Sequence, residues 1–385
     1  MPGKHLPRAA DEPCDKCKLK MSAILVRAKP LCQDCFARYV HTKAIKRLES
    51  FRVNFAASQD HRRKILLPLS YGVSSTTLLH ILDLHLKTQR SKTNRAGFAI
   101  SVLSIDEASQ SLAHAERLEK VREHYPDHEY TSLPLHHVFR LLPDDASLGA
   151  LVPTSSDPAK ANSEDQLASI VASLTSATAR ADVLSTLRTR LVVEYAKQNS
   201  CESIVWGDST TRLAEKTLAE TAKGRGFSLP WQVSDGTSPL GTNFHYPLRD
   251  VLKKELVSYV DLAEPILSSL VYEPFSGATQ ASMSSKKTTI DDLMKQYFES
   301  VEENFPSIVS NVVRTTGKLE TPPGASSDSC CSLCGMPVPG GHFGVHGWGG
   351  DQHHGVDGVP AGTSTTLCYG CTRSIPQPST TGATT

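Results

Sequence analysis

Residues 65–79 read ILLPLSYGVSSTTLL, and this stretch determines the fold that we expect. The apolar run ILLPL has the length of a buried strand, whereas the apolar spacing in TTLLHILDLHLKT, residues 76–88, indicates a helix. Between them lies a loop with one glycine and three serines, residues 70–75. Backbone N–H groups at the start of a helix attract anions, so the loop suits a phosphate, although an ordinary capped helix would show the same residues.

Strands and helices continue to alternate along the chain. The expected strands are FAISVLSI, which ends before Asp106, then EYTSL at 129–133, and SIVW at 203–206, which precedes a Gly207-Asp208 turn. The expected helices lie at about 110–124, at 181–198, through Leu213 and Leu218, and from YPLRD into DVLKKELVSYV at 250–260. This alternation predicts an α/β fold with a doubly wound, mainly parallel, Rossmann-like sheet.

Ligands of such sheets bind at the carboxyl ends of the strands. Several small or acidic residues follow predicted strands, and we expect them to meet at that edge. These candidate nucleotide-loop residues are Ser70, Gly72, Ser74, Ser75, Asp106, Gly207 and Asp208.

Eight of the ten cysteines form four Cys-x-x-Cys pairs, two near each end of the chain. The pairs are Cys14/Cys17, Cys32/Cys35, Cys331/Cys334 and Cys368/Cys371. Two such pairs complete a tetrahedral zinc shell with no open position, so we predict two structural, zinc-ribbon-like modules. A disulfide scaffold is the alternative, and it is rare inside cells. Because four cysteines already satisfy zinc, we expect Cys330 to be a spare neighbour and the loop histidines to be solvated, although one of them could replace a thiolate at the second site: His342, His346, His353 and His354.

Composition excludes some classes of protein. The 385 residues are 39% hydrophobic and 21% charged, which is enough for a sizeable core, and the net charge is +1. No apolar run approaches the roughly 18 residues of a membrane span, and the first residues lack the apolar stretch of a secretory signal. We therefore expect neither secretion nor insertion into a membrane, and no membrane partner.

Charge is unevenly distributed along the chain. Residues 1–64 hold 15 Lys and Arg against 6 Asp and Glu, whereas the remainder is net acidic. This asymmetry favours a polyanion as partner of the N-terminal part, although a solvated helix face is the alternative. The candidate contacts to the phosphates of such a polyanion are Arg38, Lys43, Lys46, Arg47, Arg62, Arg63 and Lys64, and the KGRG loop adds Lys223 and Arg225, unless that loop is a plain exposed turn.

These features divide the chain into five parts. We expect a zinc module at 1–40, the α/β domain at 41–275 with a flexible insertion at about 141–180, and a linker with a helix at 276–325. A second zinc module with a Gly/His-rich insertion follows at 326–375, before a disordered tail at 376–385.

The order of the motifs resembles one family. The N-terminal double CxxC, SYGVSS, LSIDEA, IVWGDSTTRLAEKTL, KGRG, YPLRDVLKKEL and the C-terminal double CxxC together are similar to the cytoplasmic tRNA 2-thiolation protein 2 family. The resemblance covers nearly the whole chain and is weakest at 141–180 and 340–366. It implies a PP-loop fold of the adenine nucleotide alpha hydrolase type. It also implies a heterodimer with a catalytic tRNA thiolation subunit, 2-thiolation of the wobble uridine U34 of tRNAs, and sulfur from a thiocarboxylated ubiquitin-like carrier.

The chain departs from the related ATP pyrophosphatases, whose loop reads Ser-Gly-Gly-x-Asp-Ser. Tyr71 stands at a glycine position, and Ser74 stands where a carboxylate would help to arrange Mg²⁺, which speaks against binding of ATP and Mg²⁺. No cysteine occurs between Cys35 and Cys201, so the central Cys-x-x-Cys of a thiolating or iron–sulfur paralogue is missing. We expect Cys201 to be a buried residue.

These departures predict a pseudoenzyme subunit with no catalytic residues, which binds tRNA while any iron–sulfur cluster belongs to the partner. An active adenylating enzyme and a zinc-ribbon scaffold for protein assembly are the alternatives.

Overall fold

The computed structural model describes residues 5–9, 12–51, 63–107, 111–143, 145, 148, 151, 162–263, 265–272, 288–321, 330–338 and 367–375. The strands are β1 Ile24–Val26, β2 Lys29–Leu31, β3 Lys64–Pro68, β4 Ala99–Asp106, β5 Glu129–Pro134, β6 Ser203–Val205, β7 Gly236–Thr237 and β8 Asn243–His245. The helices are α1 Gln33–Lys46, α2 Val73–Thr93, α3 Leu112–His124, α4 Val138–Leu141, α5 Ser163–Ser173, α6 Ala177–Gln198, α7 Thr210–Ala222, α8 Leu229–Gln232, α9 Lys253–Ala263, α10 Pro265–Leu270, α11 Ile290–Asn304, α12 Pro306–Thr316 and α13 Tyr369–Ser374.

The main sheet has the strand order β5-β4-β3-β6-β8-β7. All its pairs are parallel except the last, in which β7 runs antiparallel to β8. A small antiparallel hairpin, β1-β2, turns at Arg27 and Ala28, which both have positive φ. The predicted α/β fold with a doubly wound, mainly parallel sheet is confirmed.

Helices cover both faces of this sheet. Alternate side chains of β3 point to opposite faces, so Ile65 and Leu67 join one buried cluster while Leu66 joins another. The first cluster contains apolar residues of α1, α2, α9 and α10, and the second contains those of α6, α7, α11 and α12. The N-terminal cysteine module packs into the first cluster, and the C-terminal module joins a third cluster with α5 and α6.

The region 141–180 differs from the expected flexible insertion. Helix α5 lies inside it, capped by the Asn162 side chain, which accepts from Asp165 N, and Ile170 is buried. The Ser- and Asp-rich composition is therefore that of helix caps and an exposed helix face, at least over 162–180. Residues 152–161 lie outside the described residues, as do the Gly/His-rich segment 339–366 and the tail 376–385.

The segment 276–325 contains two helices, α11 and α12, where one was expected. Pro306 begins α12, a position at which the missing N–H of proline costs no hydrogen bond. None of the helices in the described part of the chain is long and apolar enough to cross a membrane.

Tyr71 offers a test of how the loop after β3 is held. Its φ is +59°, a left-handed conformation that costs a non-glycine residue about 1 kcal/mol. We expect Tyr71→Gly to remove this strain, yet to lower the free energy of unfolding by about 2–4 kcal/mol, because loss of a buried aromatic ring costs about 3–5 kcal/mol. Urea unfolding measures the change. Tyr71→Phe is the control, since it keeps the ring, and equal stability of Tyr71→Gly and wild type would contradict the account.

Candidate functional site

The loop after β3 is closed by its own hydrogen bonds. Ser75 Oγ lies 3.3 Å from Ser70 N and 3.1 Å from Ser70 Oγ, and it donates to Gly72 O at 3.3 Å. The predicted partner turn lies directly against it, since a Cβ added to Gly207 would be 2.7 Å from Ser75 Cα. The structure therefore brings these four sequence-predicted residues together.

Tyr71 anchors the same loop by packing its side chain into the protein interior. Its side chain is buried, and its ring packs edge-on against His114 at 5.5 Å and Tyr272 at 6.3 Å between ring centroids. The Tyr71 carbonyl accepts from Tyr272 N at 2.8 Å. Burial raises the pKa of Tyr71 to about 12, so the ring stays neutral. The ring therefore occupies the interior and does not cover the exposed side of the loop.

Asp106, Ser74 and Asp208 are the remaining candidate residues of this site. Asp106 ends β4, and its Oδ2 accepts from Ser111 N at 2.9 Å, just before α3. Ser74, at the position where related enzymes carry a carboxylate, is half-buried, as is Asp208. Within the described residues, the groups of Cys, His, Asp and Glu that could hold a metal ion are two four-cysteine clusters, and neither lies at this loop.

The first four-cysteine cluster joins Cys14, Cys17, Cys32 and Cys35. Their sulfur atoms all lie within 4.8 Å of one another, and Cys17 Sγ is 3.8 Å from Cys32 Sγ. A tetrahedral zinc ion with Zn–S bonds of about 2.3 Å places its sulfurs about 3.8 Å apart, so the donor set fits zinc. Burial opposes ionisation of Cys14, but N–H groups of Cys17, Cys32 and Lys16 outweigh it and lower the pKa of its thiol to about 6.

The second cluster joins Cys331, Cys334, Cys368 and Cys371, with 3.9 Å between the sulfurs of Cys334 and Cys368. Cys330 does not belong to this group. The four histidines considered as ligands, His342, His346, His353 and His354, lie outside the described residues. The described residues therefore include two groups of four cysteines that could each hold a metal ion, at the positions that the sequence predicts.

The KGRG loop differs from the expected exposed turn. The side chains of Lys223 and Arg225 are 8% and 4% exposed. Both cations pair with Asp182 and Glu220, and Lys223 also pairs with Asp291 at 3.3 Å. Although burial alone would raise it, Arg225 and Lys223 hold the pKa of Glu220 down to about 2. Carboxylates of this chain thus engage both cations, and we leave them out of any RNA surface.

The same loop supports the C-terminal metal module. Arg225 Nη1 lies 3.9 Å from Cys371 Sγ, and Ser374 Oγ donates to Asp182 at 2.7 Å. Gly224 has φ +77°, and a Cβ there would overlap the ring of Tyr369. Gly224 therefore serves close packing of α13 against the domain, which the sequence pattern alone did not reveal.

The predicted basic residues of the N-terminal part fall into two groups. Arg38 and Lys46 are exposed on α1, and no other residue in the described ranges pairs with their side chains. The other described candidates already have partners: Lys43 donates to Asp250 O at 2.7 Å, Arg47 pairs with Asp250 at 2.6 Å, Arg63 pairs with Glu202, and Lys64 pairs with Glu129 at 2.6 Å. Arg62 lies outside the described residues.

A basic cavity of about 310 Å³ escaped the sequence analysis. It is lined by Arg27, Arg47, Arg249, Arg314 and Lys318, together with Asp250. Arg249 belongs to the YPLRD motif that the sequence analysis quoted. Arg314 lies in α12 and Lys318 lies just after it, and the sequence analysis did not identify this second helix. A basic residue every three to four positions near the end of an amphipathic helix was the available signal.

Cys201 is buried, as expected, and burial raises the pKa of its thiol. It is therefore a poor nucleophile. Trp206 packs edge-on against Phe244 with 5.6 Å between ring centroids.

The fold is shared with a solved tRNA-modifying protein. The U34-tRNA thiolase NcsA from Methanococcus maripaludis, solved with its 4Fe-4S cluster, has a TM-score of 0.53 and 15% identity. The alignment covers 83% of this chain and 91% of that chain. The present chain is thus an α/β protein that shares its fold with this thiolase and carries one group of four cysteines at residues 14–35 and another at 331–371.

Close relatives define the family. Cytoplasmic tRNA 2-thiolation protein 2 of Phaeosphaeria nodorum is 76% identical over 377 residues, which is 98% of each chain, and that of Pyrenophora tritici-repentis is 64% identical with the same coverage. The family model described as cytoplasmic tRNA 2-thiolation protein 2 matches residues 289–342. The chain belongs to the cytoplasmic tRNA 2-thiolation protein 2 family.

Metal content tests the two cysteine clusters. We expect two metal ions per chain in the purified protein and one in Cys331→Ser, because a hydroxyl is a poor ligand in place of a thiolate. Mass spectrometry of metal content, normalised to protein, measures this number. Cys330→Ser is the matched control, since the neighbouring cysteine lies outside the cluster and should leave two ions. Equal metal loss in both variants would refute the ligand assignment.

Arg225→Met tests the buried ion pairs beneath the C-terminal module. Removing Arg225 from this buried ion network leaves Asp182 and Glu220 sharing Lys223, with less compensating charge, so we expect a loss of about 3–5 kcal/mol in the free energy of unfolding and faster proteolysis of that module. Arg188→Met is the control: the Arg188–Glu107 pair is solvent-exposed and should contribute less than about 1 kcal/mol. Similar losses in both variants would contradict the assigned role.

Proposed function

We propose that this chain is a non-catalytic subunit of a cytoplasmic tRNA 2-thiolation complex, needed for 2-thiolation of the wobble uridine U34. The observation that carries the proposal is the loop after β3, in which Ser75 Oγ is bonded to Ser70 and Gly72. Replacing O2 of uridine by sulfur requires activation of the carbonyl oxygen, usually by adenylation, and then attack by a sulfur nucleophile. This loop offers Ser74 where a carboxylate would help to bind Mg²⁺.

In this proposal, a partner subunit also carries out the transfer of sulfur. The described clusters of cysteines have four thiols each, which is a complete shell for zinc with no position left for a substrate. We assign zinc, with a structural role, to both clusters. The catalytic thiolation subunit of the heterodimer would hold any iron–sulfur cluster and receive sulfur from a thiocarboxylated ubiquitin-like carrier.

The proposed RNA contact surface centres on α1. Arg38 and Lys46 are separated by two helical turns, so both lie near one exposed face. Phosphate contacts by such cations give affinity that depends on salt and not on sequence. Lys43, Arg47, Arg63 and Lys64 have partners within the chain, and a phosphate would compete with those carboxylates and carbonyls. Arg62 remains a candidate from the sequence.

A complementation experiment tests the non-catalytic role. In cells that lack this protein, we expect 2-thiouridine at position 34 to be lost, and to be restored equally by the wild-type chain and by Ser74→Ala. The reason is that a subunit without chemistry at this loop does not need the Ser74 hydroxyl. Mass spectrometry of tRNA nucleosides measures the product. Cys331→Ser is the control for loss of the second cysteine cluster, and failure of Ser74→Ala to restore 2-thiouridine, when its protein level equals that of wild type, would contradict the proposal.

Binding of tRNA to the purified chain tests the surface on α1. We expect Arg38→Gln/Lys46→Gln to weaken tRNA binding. We also expect the plot of log affinity against log salt to become less steep by about one to two, since each lost phosphate contact reduces the steepness by about 0.7–0.9. Lys92→Gln/Lys120→Gln removes two exposed cations from α2 and α3 and serves as the control. An unchanged slope for the α1 variant, or an equal change in the control, would refute this surface.

A further inference from the structure

The cavity beside Asp250 has an excess of positive charge. Five cationic side chains line it, whereas Asp250 is the single carboxylate among its described lining residues. A polar cavity with such an excess attracts anions, because the surrounding protein focuses the field within it. This cavity lies apart from the serine loop, and the proposed role of α1 does not use it.

Three of the five cations are held in place by carboxylates of this chain. Arg47 contacts Asp250 at 2.6 Å and Asp235 at 3.5 Å, and Arg27 contacts Glu255 at 3.2 Å. The Arg249 side chain is 9% exposed and lies 3.9 Å from Asp235. Guanidinium groups fixed in this way present their remaining N–H donors with little further loss of entropy, which suits the oxygens of a phosphate.

The other two cations are available for a ligand. Arg314 and Lys318 are exposed near the end of α12, and among the residues that the structure describes none offers a partner to either side chain. The last turn of a helix attracts cations through its exposed carbonyls, which explains their position but leaves their charges free. The cavity thus combines fixed arginines with two free cations.

The location agrees with a ligand site. Thr210, in the wall of the cavity, begins α7 after β6, and Arg249 follows β8. Because β6 and β8 are parallel, both residues lie at the carboxyl edge of the sheet, the edge at which α/β proteins bind ligands. The serine loop after β3 lies at the same edge.

We propose that this basic cavity binds a backbone phosphate group of tRNA. The inference rests on the proposed function, since it gives the same RNA partner a second contact region. Arg47 is the C-cap residue of α1 and also lines the cavity, so the cavity adjoins the end of the helix that carries Arg38 and Lys46. A polyanion has phosphates for both places, whereas a small free anion would use the cavity alone.

The test compares tRNA binding by the full-length wild type, Arg314→Gln/Lys318→Gln and the control Lys92→Gln/Lys120→Gln over a range of salt. We expect about tenfold weaker binding by the cavity variant, a lower salt slope by about one to two, and an unchanged control. Thermal melting and metal content, unchanged in the variant, show that it is folded. Inorganic phosphate, at the ionic strength of a chloride reference, should displace tRNA from wild type more than chloride does.

Each other outcome overturns the inference. Equal tRNA binding by the wild type and the cavity variant would show that the cavity is not part of the RNA surface. That result would not affect the surface on α1. Phosphate binding that the variant loses, without any change in tRNA binding, would assign the cavity to a small anion. Loss of binding to the catalytic subunit, with tRNA binding kept, would assign it to an acidic protein segment. A wild-type chain that restores thiolation yet binds no tRNA would overturn both RNA surfaces but not the subunit role.

Discussion

The first turn of α2 packs directly on the backbone of Gly207, and this contact fixes the carboxyl edge of the sheet. A side chain at Gly207 would collide with Ser75 Cα at 2.7 Å, so the loop after β3 and the turn after β6 approach as closely as two backbones allow. Ser75 Oγ forms a hydrogen bond with Ser70 Oγ in its own loop. The Tyr71 carbonyl accepts a hydrogen bond from Tyr272 N, which ties the loop to the chain at Tyr272. The polar groups of this loop are therefore hydrogen-bonded to one another.

The two cysteine modules depend on the domain in different ways. The first shares a buried cluster with α1, α2 and α9, so apolar contacts hold it. The second also relies on charge, because Arg225 contacts Cys371 while it pairs with Asp182 and Glu220. Buried ion pairs contribute little net stability compared with apolar packing, but they are costly to break, which favours one unique docking of the module.

Much of this architecture follows from periodicity and from short-range rules. The strand at 64–68, the helix after it and the four Cys-x-x-Cys pairs were predicted because each depends on neighbours in sequence. The burial of Lys223 and Arg225 could not be predicted, since it depends on Asp182, about 40 residues away, and on Asp291. The basic cavity likewise combines residues from α1, the turn after β8 and α12, which no local pattern connects.

The central claim is that a loop of nucleotide-binding shape has become a structural element of a supporting subunit. Incubation of the purified chain alone with ATP, Mg²⁺, a sulfur donor and unmodified tRNA, followed by measurement of bound nucleotide and of 2-thiouridine, tests it most directly. We expect no saturable binding of ATP with Mg²⁺ and no thiolated uridine until the catalytic partner is added. Saturable ATP binding together with 2-thiouridine formed by this chain alone would contradict the account.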